Sequence, residues 1–173
     1  GAYAMVRDGV LENPRPDAIM AAHMMFWEAG TITIRKGSAY LASDSFRIKV
    51  HGHGGHGCKP HECTDTILAA CKIVTDIQMI VARKVNPQDV ATVTVGAIHG
   101  GSKENIIPEY AELIGTVRTL KPEVRQRVID GLHEVCKGVC DAVGTTYEME
   151  YEEVCETVDN NPALMELFEE AIK

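Results

Sequence analysis

Two periods of hydrophobic and polar residues alternate along this chain. Phe46-Arg-Ile-Lys-Val50 alternates cleanly, as expected for a strand with one buried face. A glycine- and histidine-rich loop follows from His51 to His61. The spacing then changes to three and four: Ile67, Ala70, Cys71, Val74, Ile77 and Val81 fall on one stripe of a predicted helix, with Asp65 near its start, where a carboxylate suits the unpaired amides. Alternation returns over Asp89 to Gly96, with Val90, Thr92, Thr94 and Gly96 on one face and Ala91, Val93 and Val95 on the other. It returns again over Glu109 to Thr119. A second helix is predicted from Pro122, whose missing N–H costs nothing in a first turn, to Gly144. Its stripe is Val124, Val128, Leu132, Val135, Val139 and Val143. Thr145 to Glu152 gives a fourth strand. Residues 41–152 thus read β-α-β-β-α-β, an α+β ferredoxin-like arrangement of a four-stranded antiparallel sheet with two helices on one face.

The flanks read differently. Gly1 to Gly9 suggests the last turns of a helix stopped by glycine. Asp17 to Met24 is an apolar run of strand length, Thr31 to Arg35 is a β-branched alternation, and Lys36-Gly37-Ser38 makes a break. Asn161 to Lys173 reads as a helix capped by Asn160. There is no internal repeat and no low-complexity tract.

At 173 residues, with 45% hydrophobic and 24% charged residues, the chain suits a globular domain with appendages. A net charge of −8 with scattered Lys and Arg argues against nucleic acid as a partner. No apolar run reaches the roughly 20 residues that span a bilayer, so no membrane partner is expected. The six cysteines are expected as reduced thiols, since Cys71, Cys136 and Cys140 fall inside helical patterns where Cys acts as a small core residue. With no secretory pattern opening the chain, the expected location is cytoplasmic.

Three clusters carry chemistry. His51, His53, His56, Cys58, His61 and Cys63 crowd into thirteen residues. Imidazole and thiolate are zinc ligands, yet the spacing matches no zinc finger. The interleaved glycines point instead to a loop whose backbone approaches a ligand closely, and solvated loop histidines are the plain alternative. Asn105, after Gly100-Gly101, either steadies its own turn or offers its amide to a ligand. Arg118, near a strand end, is either a surface charge or a bidentate clamp for a carboxylate.

Gly54-Gly-His-Gly-Cys-Lys-Pro-His61, Val93-Thr-Val-Gly-Ala-Ile-His-Gly-Gly101, Asn105-Ile-Ile-Pro108 and Gly115-Thr-Val-Arg-Thr-Leu120 occur in that order. In these segments the chain resembles the metallo-amidohydrolase family that includes hippurate hydrolase, indole-acetyl-amino-acid hydrolase, N-acetyl-diaminopimelate deacetylase, aminoacylase and the glutamate-releasing carboxypeptidases. The resemblance implies a catalytic domain with two divalent metal ions, usually zinc, with manganese, cobalt or nickel as alternatives. It also implies a ferredoxin-like lid inserted into that domain, through which the parent forms a homodimer. Residues 1–40 would then end a first catalytic segment, 41–152 form the lid and dimerisation domain, and 153–173 begin the returning catalytic segment. His23, in Ala21-Ala-His-Met-Met25, matches a metal ligand, although the family usually shows Gly-Leu before it. His56 matches the lid histidine that reaches the partner subunit's active site and steadies the oxyanion. Asn105 and Arg118 match residues that hold the substrate's carbonyl and carboxylate, and His61, closing the His56 loop, joins them as a substrate-binding residue. Thr66 stands where the family often has proline, a change expected to affect only the helix cap.

The family's His-x-Cys-Gly-His-Asp stretch, Glu-Glu pair and C-terminal metal-binding His do not occur in this sequence. The chain alone is therefore expected to retain no two-metal centre and to hydrolyse nothing. For the parent, the resemblance implies hydrolysis of the amide bond of N-acyl amino acids or related peptide-like substrates. Two other expectations stand beside it: a dimerisation or small-ligand-binding module without catalysis, or a histidine-rich loop binding its own metal. The enzyme reading expects Gly54–His61, Asn105 and Arg118 to converge at one end of the sheet.

Overall fold

The alternation that opens at Ala42 builds the centre of the molecule. In the computed structural model, which describes residues 2–172, Ala42–His51 forms a ten-residue strand (β2). Its inward positions Phe46, Ile48 and Val50 are buried. Ahead of it in sequence lie a short helix, Ala2–Arg7 (α1), and the strand Gly37–Tyr40 (β1). Beyond it come the two-residue strand Gly55–His56 (β3), the helix Thr66–Asp76 (α2) and the strand Ala91–Gly100 (β4). Ile106–Ile107 (β5), Tyr110–Thr119 (β6), Pro122–Val143 (α3) and Thr146–Cys155 (β7) follow, then Val158–Asn160 (β8) and Pro162–Ala171 (α4).

The main sheet is antiparallel with order β4-β6-β2-β7, the ferredoxin-like order, so the sequence-predicted fold class holds. Helices α2 and α3 pack on one face. Ala69, Ala70 and Ile73 of α2 and Val124, Val128, Leu132, Val135, Cys136, Val139 and Cys140 of α3 bury against Phe46, Ile48, Val50, Leu113 and Val117. Gly144 ends α3 in the left-handed region (φ 81°), which a glycine adopts without steric cost. The opposite face is polar, with Ser43, Ser45, Arg47, Lys49 and His51 on β2.

A charged network ties the helix layer to the sheet. Asp44 falls on an inward position of β2 and is 1% exposed. Arg125 of α3 donates to both its carboxylate oxygens, from Nε and Nη2 at 2.9 Å each, and the Tyr151 hydroxyl donates to Oδ2 at 2.7 Å. Glu153 and Glu156 accept from Arg125 Nη1 at 2.8 and 3.1 Å. Burial opposes the guanidinium's charge, but Asp44 and Glu156 outweigh it and its pKa is raised.

The flanks differ from expectation. Asp17–Met24 and Thr31–Arg35 are not strands. Apolar or alternating sequence permits an extended backbone, but a strand needs a neighbour for its N–H and C=O groups, and these segments have none among the described residues. The break expected at 36–38 instead enters β1, which pairs with β8. The predicted first helix stops at Arg7, before Gly9 (φ 84°). Gly1 and Lys173, the outer ends of the expected segments 1–40 and 153–173, lie outside the described residues. The predicted stripe is displaced: Ile67 and Cys71 are exposed, so Cys71 is not a core residue, and the buried face runs through Thr66, Ala69, Ala70, Ile73 and Ile77. The α-helix ends at Asp76, and a wider π turn, Ile80–Lys84, buries Ile80. Helix α4 is capped by Asn161 rather than Asn160, its side chain accepting from the amides of Ala163 and Leu164 at 3.0 and 3.3 Å. The fold falls into two compact units that divide between Thr33 and Ile34.

Candidate functional site

Where β2 and β6 end side by side, at His51 and Tyr110, their backbone pairing does not stop. The Gly52 N–H donates to the Glu109 carbonyl at 2.8 Å, and the two chains run on into the β3–β5 ribbon. There Gly55 pairs with Ile107 and His56 with Ile106, and the Gly57 N–H donates to the Asn105 carbonyl at 2.8 Å. The glycine-rich loop and the Asn105 turn are thereby joined in a short arm beyond the sheet. His56 and Asn105 are adjacent on it, both exposed.

The Asn105 side chain and one nitrogen of the His56 ring are not spent on the fold. Among the described residues the Asn105 amide has no hydrogen-bond partner and bonds no backbone of its own turn. His56 Nδ1 accepts the Cys58 N–H at 3.3 Å, so in the neutral ring the proton sits on Nε2, which is left as an outward donor. His61 lies on the 3₁₀ turn Pro60–Glu62 of the same loop, with Nε2 3.7 Å from Glu62 and most of its ring in solvent.

Arg118 is not part of this arm. It lies near the far end of β6, opposite Ser43 and Thr92. Eight residues of strand separate it from Tyr110, roughly 27 Å at 3.4 Å per residue. The expected convergence of Gly54–His61, Asn105 and Arg118 therefore holds for the first two only. The cause is strand direction: Asn105 precedes β6 and Arg118 closes it. Arg118 is half-buried on the polar face, and Nη1 donates to the carbonyls of Val117 (2.9 Å) and Asp44 (3.3 Å) and to the Thr116 hydroxyl. All these partners are neutral. Arg47, on the same face, is neutralised by Glu112 at 2.8 Å, whereas Arg118 has no acidic partner among the described residues.

His23, in the first unit, is exposed and donates Nδ1–H to the Met24 carbonyl at 2.7 Å. That leaves the lone pair on Nε2, the tautomer of a metal-ligating histidine whose other nitrogen is held by a carbonyl. The ring fits one metal ligand. Among the described residues no three His, Cys, Asp or Glu side chains gather around a common point, the histidine-rich loop included. All six cysteines are free thiols. Among the described residues no helix is long and apolar enough to cross a membrane.

Sequence reasoning missed the Asp44–Arg125 pair, although an Asp on the inward register of an alternating strand was its signal. It also missed the backbone amide of Cys58, which no side-chain pattern reports.

An antiparallel ferredoxin-like domain, with a two-stranded arm at one end and Arg118 at the other, defines the class. The Peptidase dimerisation domain family model (M20_dimer) matches residues 41–142, and the chain belongs to this family. It is 35% identical over 165 residues to an N-acetyldiaminopimelate deacetylase of Geobacillus sp. (strain WCH70), covering 95% of this chain and 44% of that protein. It is 34% identical over 174 residues to the hippurate hydrolase of Campylobacter jejuni, covering 100% of this chain and 45% of that protein. Among solved structures it matches the Bacillus subtilis YXEP protein, described as a dinuclear metal binding peptidase from the M20 family. The TM-score is 0.73 at 26% identity, covering 99% of this chain and 42% of that one. The chain spans less than half the length of the curated relatives it matches.

Proposed function

We propose that this chain is the lid and dimerisation part of a two-metal amidohydrolase that hydrolyses the amide bond of N-acyl amino acids or related peptide-like substrates. Residues 41–152 form the lid, with 1–40 and 153–173 belonging to the catalytic domain. The names of the relatives support the reaction class, and the description of the YXEP protein supports two metal ions. The observation that carries the reading is the arm: the outward Nε2 of His56 and the side-chain amide of Asn105, neither with a hydrogen-bond partner among the described residues, lie at adjacent positions on two strands held by backbone pairing outside the sheet. Donors fixed in advance in this way stabilise developing charge without reorganising during the reaction.

In this mechanism the Nε2–H of His56 donates to the oxyanion of the tetrahedral intermediate at the partner subunit's centre, and Asn105 holds the substrate carbonyl beside it. His61 borders the same substrate path. Arg118 takes the free carboxylate with the unspent edge of its guanidinium fork. Because the sheet separates Arg118 from the arm, one protomer does not serve one substrate with both ends, and Arg118 acts at its own subunit's centre. Two divalent ions, zinc first with manganese, cobalt or nickel as alternatives, would supply Lewis acidity, and His23 would hold one of them.

The sheet edges support a homodimer of a stated geometry. The β7 edge strand carries Glu148, Glu150, Glu152 and Glu153, charges that repel a second copy. The β4 edge carries no Asp, Glu, Lys or Arg over ten residues, and Ile67 and Leu68 of α2 and Met79 beyond its end are exposed. A second copy of the chain therefore pairs at β4. The six free thiols fit a cytoplasmic setting. The test is His56→Ala in the complete protein. Turnover is expected to fall about 10²–10³-fold with dimers intact, and unchanged turnover would reject the role.

A further inference from the structure

The arm leaves the sheet at two points, Gly52–His53 on one strand and Pro108–Glu109 on the other, and the same short segment grips both. The Thr64 hydroxyl accepts the His53 N–H at 2.6 Å, while the Thr64 N–H donates to the His53 carbonyl at 2.9 Å. Two residues on, Thr66 is fully buried, and its hydroxyl donates across to the Pro108 carbonyl at 3.0 Å. Its methyl group lies against Gly52: a Cβ built there would sit 2.7 Å from Thr66 Cγ2 and 2.6 Å from Thr64 Oγ1. Thr66 is not the cap of α2. That is Asp65, whose carboxylate accepts the Leu68 N–H at 2.9 Å. The expectation that exchanging proline for threonine at 66 touches only the cap is therefore corrected. A proline has no hydroxyl for Pro108, and this threonine spends its own outside the helix.

We propose that Thr66 is a positioning residue for the arm that carries His56 and Asn105. Its hydroxyl fixes the strand that enters β6, and its methyl group fixes the strand that leaves β2. One buried side chain thus sets the angle at which both functional groups leave the sheet. The catalytic meaning of that angle rests on the proposed function; the mechanical coupling does not.

Amide hydrogen exchange on the full chain separates the two. Thr66→Val keeps the shape and removes the donor. Exchange at the arm amides, Gly57 foremost, is expected to rise about tenfold, the usual worth of one net hydrogen bond, while the sheet amides of Ile48 and Leu113 keep their protection. Thr66→Ser, which restores the hydroxyl but not the methyl group, is expected to recover most of the arm's protection. No change in Thr66→Val, equal loosening of arm and sheet, or a Thr66→Ser variant as loose as Thr66→Val would each overturn the proposal. In the complete protein Thr66→Val is then expected to lower kcat with little change in KM. A loosened arm with unaltered kcat would leave the coupling standing and reject the catalytic role of the arm.

Discussion

If the two ends of the lid serve different reaction centres, lesions at opposite ends should complement each other. His56→Ala removes the donor on the arm, and Arg118→Ala removes the cation at the far end of β6, roughly 27 Å of strand away. A substrate the size of an N-acyl amino acid does not bridge that distance within one protomer. Each homodimeric variant of the complete protein is expected to be impaired at both centres, by about 10²-fold or more for His56→Ala and by the loss of a bidentate carboxylate grip for Arg118→Ala. In a mixed dimer, the centre in the His56→Ala subunit receives an intact His56 from its partner and keeps its own Arg118. The other centre carries both lesions. One of two centres is then fully equipped, and the mixed species should show roughly half the wild-type turnover per dimer, far above either parent. The assay is co-expression with two affinity tags, isolation of the doubly tagged dimer, and steady-state kinetics against both parents. If His56 and Arg118 met at one substrate from the same protomer, each centre would hold one lesion and no recovery would appear. Absence of recovery in a verified mixed dimer would refute the assignment of the two ends to different centres.

Two further outcomes concern the fold. Asp44→Ala leaves the Arg125 guanidinium, 7% exposed, without its bidentate partner. Breaking a buried pair costs about 3–5 kcal/mol; because Glu153 and Glu156 remain, the expected loss is near the lower end, read as a fall in the urea midpoint at unchanged slope. A loss under about 1 kcal/mol would show that the two exposed glutamates suffice. Burial, with Cys140 adding to it, pushes the Cys136 thiol from 9.0 up to about 12. The unfolded chain releases this proton near pH 9 while the folded chain keeps it, so stability is whole below that pH and falls by about 1.4 kcal/mol per unit as pH rises toward 12. Cys140, Tyr147 and Tyr151, also raised chiefly by burial, act in the same direction. Cys136→Ala should make the decline of midpoint with pH shallower by one proton's share, and an unchanged slope would remove Cys136 as its source.

Periodicity revealed what depends on one buried face. Phe46, Ile48 and Val50 in β2 and the Val124-to-Val139 stripe of α3 lie inward because no other register hides them from water. It failed where a neighbour decides. Asp17–Met24 has the composition of a strand and no strand to pair with. The stripe drawn through Ile67, Cys71 and Val81 missed the face that is buried, which runs through Ala69, Ile73, Ile77 and Ile80. Some of what was missed was nonetheless present. Pro162 must occupy the first helical turn, which fixes the cap at Asn161. Asp44 shares the inward register of Phe46 and so demanded a buried cation. Strand direction alone places Arg118 a full strand away from Asn105.

The tautomers of His23 and His56 were beyond any such reasoning, because residue type does not choose a tautomer. His23 meets a carbonyl and must donate from Nδ1, which leaves Nε2 a lone pair fit for a metal. His56 meets an amide and must accept at Nδ1, which leaves Nε2 a proton fit for an oxyanion. The same imidazole thus keeps a lone pair on Nε2 in one place and a proton there in the other, through a single backbone group one or two residues away. A glycine-rich loop serves the second case well: the turn from Gly55 to Cys58 that brings this amide back onto the ring also carries the Gly57–Asn105 bond that sets Asn105 beside it.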